Sequence, residues 1–372
     1  MANRFWVGGG ASTNWSATGN TNWSATSGGS NNASVPTTGD AVIFDANSGT
    51  GTSNIDTSLT IATFDASASS AVNLTHTANA TVTVTGDVFK WNGTIVYAGL
   101  NLQHVWLLTS TTGTSSVPTA ITTAGQKLGA LKINGPAGYF KLQDDLNVNA
   151  NTVESILTVT AGTFDANNKN VTVANFGSNN TNTRGIKMGS GLWTITGDSS
   201  FNDAWGTATV TGLTFDKGTA NLLFTNTTIN PLSFKSGGLT FNNISFAANS
   251  NQGPVFIGQS TTCAAMSIAA PNWVILGSGT TQTVSSIAVT GGSDNDIVSL
   301  ITSGNISVVG NATLSVASGT VALDWVALRG ITGSGGATFT ATDAFDLGQN
   351  SGWTITGPSG GGGSSIVGVI GS

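Results

Sequence analysis

ILTVTAGTFDANNKNVTVANF, residues Ile156 to Phe176, decides the fold. Ile156, Thr158 and Thr160 fall on one side of a period-two pattern, Leu157 and Val159 on the other, and Val171 and Val173 repeat it. That is strand spacing, broken by Gly, Asn and Asp that tolerate tight or left-handed backbone. The pattern continues outward. Leu222 and Phe224 alternate in the same way, and Thr163-Phe164-Asp165 recurs as Thr214-Phe215-Asp216. Gly191-Leu192-Trp193-Thr194-Ile195-Thr196-Gly197 returns almost unchanged as Ser351-Gly352-Trp353-Thr354-Ile355-Thr356-Gly357. No segment shows a sustained helical period. Many short strands with recurring phrases predict an all-β chain. The architecture expected is a right-handed parallel β-helix, or solenoid, with an aromatic N-terminal cap. At about 20–30 residues per rung and roughly 4.8 Å per rung, it would form a rod of about 50–70 Å. An array of antiparallel β-sandwiches is the alternative.

Composition narrows the function. Only 8% of the 372 residues are charged and 50 are Gly, so Thr, Ser and Asn must supply most of the solvent face. The net charge of -6 and three scattered arginines, Arg4, Arg184 and Arg329, argue against nucleic acid as a partner. No polybasic run invites a membrane surface, and no apolar run approaches the length of a spanning helix. Cys263 is the single cysteine and reads as a buried thiol, which excludes an intrachain disulfide framework. MANRFWVGGG has no apolar core of signal-peptide length, so assembly in a cytoplasm is expected.

Three regions are expected: 1–58 as an aromatic cap or attachment region, 59–357 as the β-solenoid body, and 358–372 as a Gly-rich tail. The first holds Trp6, Trp15 and Trp23, the last two in the repeated phrase Asn-Trp-Ser-Ala-Thr. They read as a cap over an open end, and also as candidate attachment groups for a partner or sugar. Asn92-Gly93 signals a tight turn between paired strands within Phe89–Tyr97. Gly135-Pro136-Ala137-Gly138 reads as a turn, and Ala264–Ala270 as a strand or one helical turn before Pro271.

Chemistry-bearing residues are sparse. Asp144-Asp145 is the one adjacent acidic pair, and neighbouring strand residues point oppositely. Asp294-Asn295-Asp296 lacks the full calcium-loop pattern. Asp45, Asp65, Asp165, Asp216 and Asp346 each follow Phe and read as corner residues accepting backbone N–H groups, with the Phe turned inward. His76 and His104 are the two histidines and Glu154 the one glutamate. No phosphate loop, nucleophile elbow or metal motif is present. The expectation is no catalysis and no cofactor. Tyr97 and Tyr139 are candidate glycan-stacking residues.

The opening RFWVGGG…NWSAT…SGG…VPTTGDAVIFDANSG resembles the start of repetitive β-rich proteins of bacteriophage virions and bacterial surface adhesins. TFDANNKNVTV, GLWTITG, SGGLTFNNISF and the closing DWVALRGITGSGGATF…GQNSGWTITG are similar to their later repeats. The resemblance implies a fibre, spike, capsid decoration or adhesin. The missing signal sequence and anchor favour the phage side. The expected role is therefore a non-enzymatic virion structural protein outside the particle, as a capsid decoration or fibre. It would be assembled in the host cytoplasm, bound to other virion proteins and homo-oligomeric, with a trimer favoured. The alternatives are a host-surface glycan-binding tail fibre or adhesin, and a polysaccharide-cleaving tailspike.

Overall fold

The computed structural model describes residues 1–76, 79–94, 96–98, 104–148, 156–200, 202–303 and 310–358. Among them all regular structure is strand. The fold is all-β, built of large, predominantly parallel sheets. The chain divides into two compact units, residues 1–194 with 209–220, and residues 195–208 with 221–372.

Alternation makes the strands. In Thr81–Val84 the two valines are buried and the two threonines half-exposed. Each strand then pairs with one lying about 20–30 residues further along the chain. In the first unit Ala41–Ile43 pairs in parallel with Thr63–Asp65, which pairs with Val88–Lys90, which pairs with Thr119–Thr122. Exact register lines up Val42, Phe64, Phe89, Ile121 and Leu142 in one buried column. A second column runs Leu59, Val82, Trp106, Leu131, Leu157 and Phe176. In the second unit Leu232, Val255, Val274, Leu300 and Leu328 form a buried column, and Phe224, Phe246 and Ile268 another. Each fully buried side chain of this size contributes about 1.5–3 kcal/mol, so the columns supply most of the driving force. Antiparallel pairing is seen between Asn3–Trp6 and Trp23–Ser24. Parallel pairing elsewhere in these ladders argues against the antiparallel sandwich alternative.

Corners are closed by side chains. The Oδ1 atoms of Asp45, Asp65, Asp165, Asp216 and Asp346 accept the N–H two residues on, at 2.9, 3.0, 2.7, 3.0 and 2.9 Å. The preceding Phe44, Phe64 and Phe164 are fully buried, whereas Phe215 and Phe345 are half-exposed. Asparagines tie one strand level to the next. Asn92, Asn249 and Asn350 donate from Nδ2 to the carbonyls of Ser69, Thr228 and Leu328, at 2.8, 2.9 and 2.9 Å.

Two local expectations need correction, and one open choice is resolved. Asn92-Gly93 makes no hairpin: Val88–Lys90 pairs with Thr63–Asp65 and Thr119–Thr122, while Val96–Ala98 pairs with Asn73–His76. Asn92 instead caps a corner, its Oδ1 accepting the Thr94 N–H at 3.1 Å. Gly135–Gly138 is not a turn between two strands but an irregularity inside the single strand Ala130–Leu142, with Ala137 at φ 62°. Its glycines are there for room, since a Cβ at Gly135 or Gly138 would lie 1.9 or 2.1 Å from the Ser110 carbonyl oxygen. Ala264–Ala270 has no helical turn, because the strand Thr261–Ala269 runs through it with Cys263 and Met266 facing inward.

Candidate functional site

The N-terminal segment folds around its aromatic residues. Trp6 and Trp23 meet edge to face at 5.2 Å, and Trp15 and Trp23 at 5.3 Å. All three surround Phe44, with centroids 6.0–6.3 Å away. The Trp15 indole N–H donates to Ser53 Oγ at 2.8 Å and that of Trp23 to the Trp15 carbonyl at 3.1 Å. The three indoles are at most 2% exposed. Such burial satisfies both the apolar rings and their polar handles. As attachment groups they are therefore not presented at the surface, and a partner reaching them would first have to open the cluster. Asn22 explains the repeated Asn-Trp phrase. Buried beside Trp23, it accepts from the Gly10 N–H at 2.9 Å and donates to the carbonyls of Ser12 and Asn14 at 2.8 and 2.9 Å. It thus clamps the loop between the two copies.

Beside this cluster lies a cleft of about 390 Å³, lined chiefly by Gly8–Gly10, Ser12, Thr13, Ser48 and Thr52, with Trp6 at its edge. That volume falls at the lower end of small-molecule sites. Its lining mixes Trp6 and Val7 with glycine backbone, Asn22 and hydroxyls and holds no ionisable side chain, which suits a neutral ligand and offers no acid or base.

The two tyrosines separate. Val96–Ala98 pairs with Asn73–His76, placing Tyr97 opposite Leu74, but its side chain lies outside the described residues. Tyr139 is half-buried and tied down. Its phenol donates to Asp165 Oδ2 at 2.5 Å, and Lys187 Nζ sits 5.7 Å from its ring centroid. Burial, then the Asp165 hydrogen bond and the charges of Asp165 and Asp216, push the phenol well above its ordinary value. Around it Lys141, Asp165, Lys187 and Asp216 follow one another in exact register, a charge-alternating row on neighbouring parallel strands. The cross-strand alternation is favourable and holds the ring on one side.

The carboxylates are occupied by the fold. Asp144 accepts from the Thr123 N–H at 2.9 Å, while Asp145 accepts from the backbone and side chain of Asn170 at 2.9 and 3.0 Å. The pair thus diverges and serves two strand levels. The 294–296 segment closes a local turn, with reciprocal backbone bonds between Ser293 and Asp296 at 2.9 and 3.1 Å. Burial alone would raise the Asp87 carboxyl, but the hydroxyls of Ser110, Thr119 and Thr112 together hold it below the usual range. Among the described residues no group of three or more His, Cys, Asp or Glu side chains could hold a metal. Glu154 lies outside them.

One contact that the sequence leaves open is resolved here, and one residue escaped sequence reasoning. His76 and His104 come together, ring centroids 4.4 Å apart, both buried, with Trp106 6.4 Å from His76. Burial first, and His104 second, hold the His76 imidazole down to about 2. Arg184 is also buried, and its hydrogen-bond acceptors are neutral. It donates to Ser178 Oγ at 2.8 Å and to the carbonyls of Ser178, Asn182, Thr209 and Thr211 at 2.9, 3.0, 2.5 and 2.8 Å. Its fork pins two loops of the first unit. Cys263 is buried on its strand, which pushes the thiol up to about 12 and makes it a poor nucleophile.

Compared with known proteins, this chain matches no family, no curated protein and no solved structure.

Proposed function

We propose that this chain is a non-enzymatic structural protein of a bacteriophage virion, displayed outside the particle as a capsid decoration or fibre. Each unit is, in this reading, a right-handed parallel β-solenoid, with the Trp6–Trp15–Trp23 cluster as the N-terminal cap. The observation that carries it is the ladder of in-register apolar columns, from Val42 to Leu142 and from Leu232 to Leu328. Such ladders stiffen a chain, because each internal strand is held on both edges. With 8% charged residues the outer face makes few contacts that salt can screen, which suits an outer layer exposed to variable ionic strength. The carboxylates bound into corners and turns support a scaffold role over an acid–base one. We further propose a homotrimer, assembled in the host cytoplasm and bound to other virion proteins. A neutral Thr/Asn surface packs on itself without burying unpaired charge.

Location on an intact particle tests this reading. Cryo-electron microscopy of particles carrying a labelled chain should show density on the capsid lattice or along a fibre. Absence of the label from purified particles overturns it.

The cleft beside Trp6 favours a second reading, host-surface glycan binding. It predicts saturable binding of a neutral oligosaccharide, abolished by Thr13→Trp, which fills the cleft. Unchanged binding in that variant removes the cleft from consideration.

A further inference from the structure

Trp6 differs from the two tryptophans it packs with. The indole N–H groups of Trp15 and Trp23 are used inside the fold, on Ser53 Oγ and the Trp15 carbonyl. That of Trp6 meets no acceptor among the described residues, yet it is not sealed from solvent. Trp6 is 2% exposed and lines the cleft, so its donor opens there. A donor carried on a ring locked by packing is fixed in direction, and an acceptor that meets it incurs little ordering cost on the protein side.

The cleft is formed before any ligand arrives. On its first segment the Asn22 carbonyl accepts from the Val7 and Gly8 N–H groups at 2.9 and 3.3 Å, and the Thr13 carbonyl accepts from the Asn54 N–H at 2.8 Å. On its second, the Ser48 N–H donates to the Asp45 carbonyl at 3.0 Å, and the Gly51 carbonyl accepts from the Asn73 N–H at 3.1 Å. Gly51 shows that space is kept. Its φ lies outside the left-handed region and a Cβ there would meet nothing within 4 Å, so neither backbone nor packing requires glycine. At Gly10, by contrast, a Cβ would lie 2.7 Å from the Asn20 carbonyl oxygen.

The lining selects a chemical group. Trp6 supplies a fixed donor on an apolar ring, Val7 adds an apolar side chain, and nothing in the lining is charged. An acetamido group answers both features, its carbonyl oxygen accepting the N–H and its methyl resting on the apolar side chains. A sugar hydroxyl also accepts, but brings no methyl. A carboxylated sugar would enter without a cation to pair with, on a chain of net charge -6.

We propose that the cleft binds a neutral N-acetylated amino sugar, with the acetamido oxygen on the Trp6 indole N–H and the methyl against Val7. The proposal rests on the glycan reading of the cleft and names the sugar class.

Titration of the isotope-labelled full chain, followed by the resonances of its indole N–H groups, tests it, with Trp6→Phe assigning the Trp6 signal. N,N′-diacetylchitobiose should move that signal saturably. Cellobiose, which carries hydroxyls in place of the acetamido groups, should bind at least about fivefold more weakly. Gly51→Leu should abolish the response while the other indole signals keep their positions, showing the fold intact. Equal affinity for the two sugars overturns the acetamido assignment and leaves the glycan reading standing, whereas no response to either overturns both. A response that survives in Gly51→Leu places the sugar outside the cleft and overturns the proposal. So does an equal response to N-acetylglycinamide, which assigns the cleft to peptide.

Discussion

Acid should loosen the first unit through His76, in a pH window set apart from that of the carboxylates. The His76 imidazole lies near 2 in the folded chain and near 6.5 when exposed. Its folded value is depressed, so the unfolded chain takes up the proton first. The neutral ring's full contribution is present above about 6.5 and is lost progressively as pH falls toward 2. One unit is worth about 1.4 kcal/mol, so moving from pH 7 to pH 4.5 should remove about 3 kcal/mol. Asp87 and Asp198, both held below the usual carboxylate value, lose their contribution only beneath about 3.8 and leave this window clear. The assay is urea unfolding followed by tryptophan emission, which Trp106 beside the pair should report, at half-unit steps between pH 7.5 and 4.5. His76→Phe keeps a ring against His104 and removes the titration, so its unfolding free energy should fall by about 3 kcal/mol less over the same span. Parallel pH profiles for the two chains would refute the reasoning.

Other substitutions probe the remaining contacts. Arg184→Met leaves the carbonyls of Asn182, Thr209 and Thr211 without their donor and should cost about 3 kcal/mol in chemical unfolding. Arg184→Lys should recover little of that, because an ammonium cannot reproduce the planar fork. Trp15→Ala should cost about 3–5 kcal/mol, read as a lowered urea midpoint, since it opens a cavity against Trp23 and Phe44. Asp165→Asn keeps a corner acceptor but removes the charge from the Tyr139 phenol, whose titration at 295 nm should move to lower pH. Cys263 should stay unreactive toward a disulfide reagent at pH 8 until urea unfolds its strand.

Strand identity was legible because alternation is a local property. Thr81–Val84 and Leu157–Thr160 carry their burial pattern in four residues each. The Phe-Asp corners were legible for the same reason, since an Asp binds an N–H only two residues away. Pairing was not. Nothing within Val88–Ala98 says that its two strands join different neighbours, because each partner lies about 20–30 residues distant. The His76–His104 contact depends on register accumulated over such a step, and sequence alone left it open. Arg184 gave no warning either: its acceptors are backbone carbonyls, which carry no residue signature. The three tryptophans were visible as a cluster, but their orientation rested on Phe44 and Asn22, whose buried roles a polar, Gly-rich stretch conceals.

The asparagines that tie strand levels together set a chemical lifetime for the molecule. Asn92, Asn249 and Asn350 each use both ends of the amide, accepting an N–H at Oδ1 while donating to a neighbouring carbonyl. Deamidation would leave the first bond intact and turn the second into two oxygens facing each other. Asparagine is among the thermolabile residues, and Asn92 precedes an unhindered glycine. Storage or heat would therefore damage this chain one tie at a time, adding a negative charge at each, with the strands themselves chemically intact.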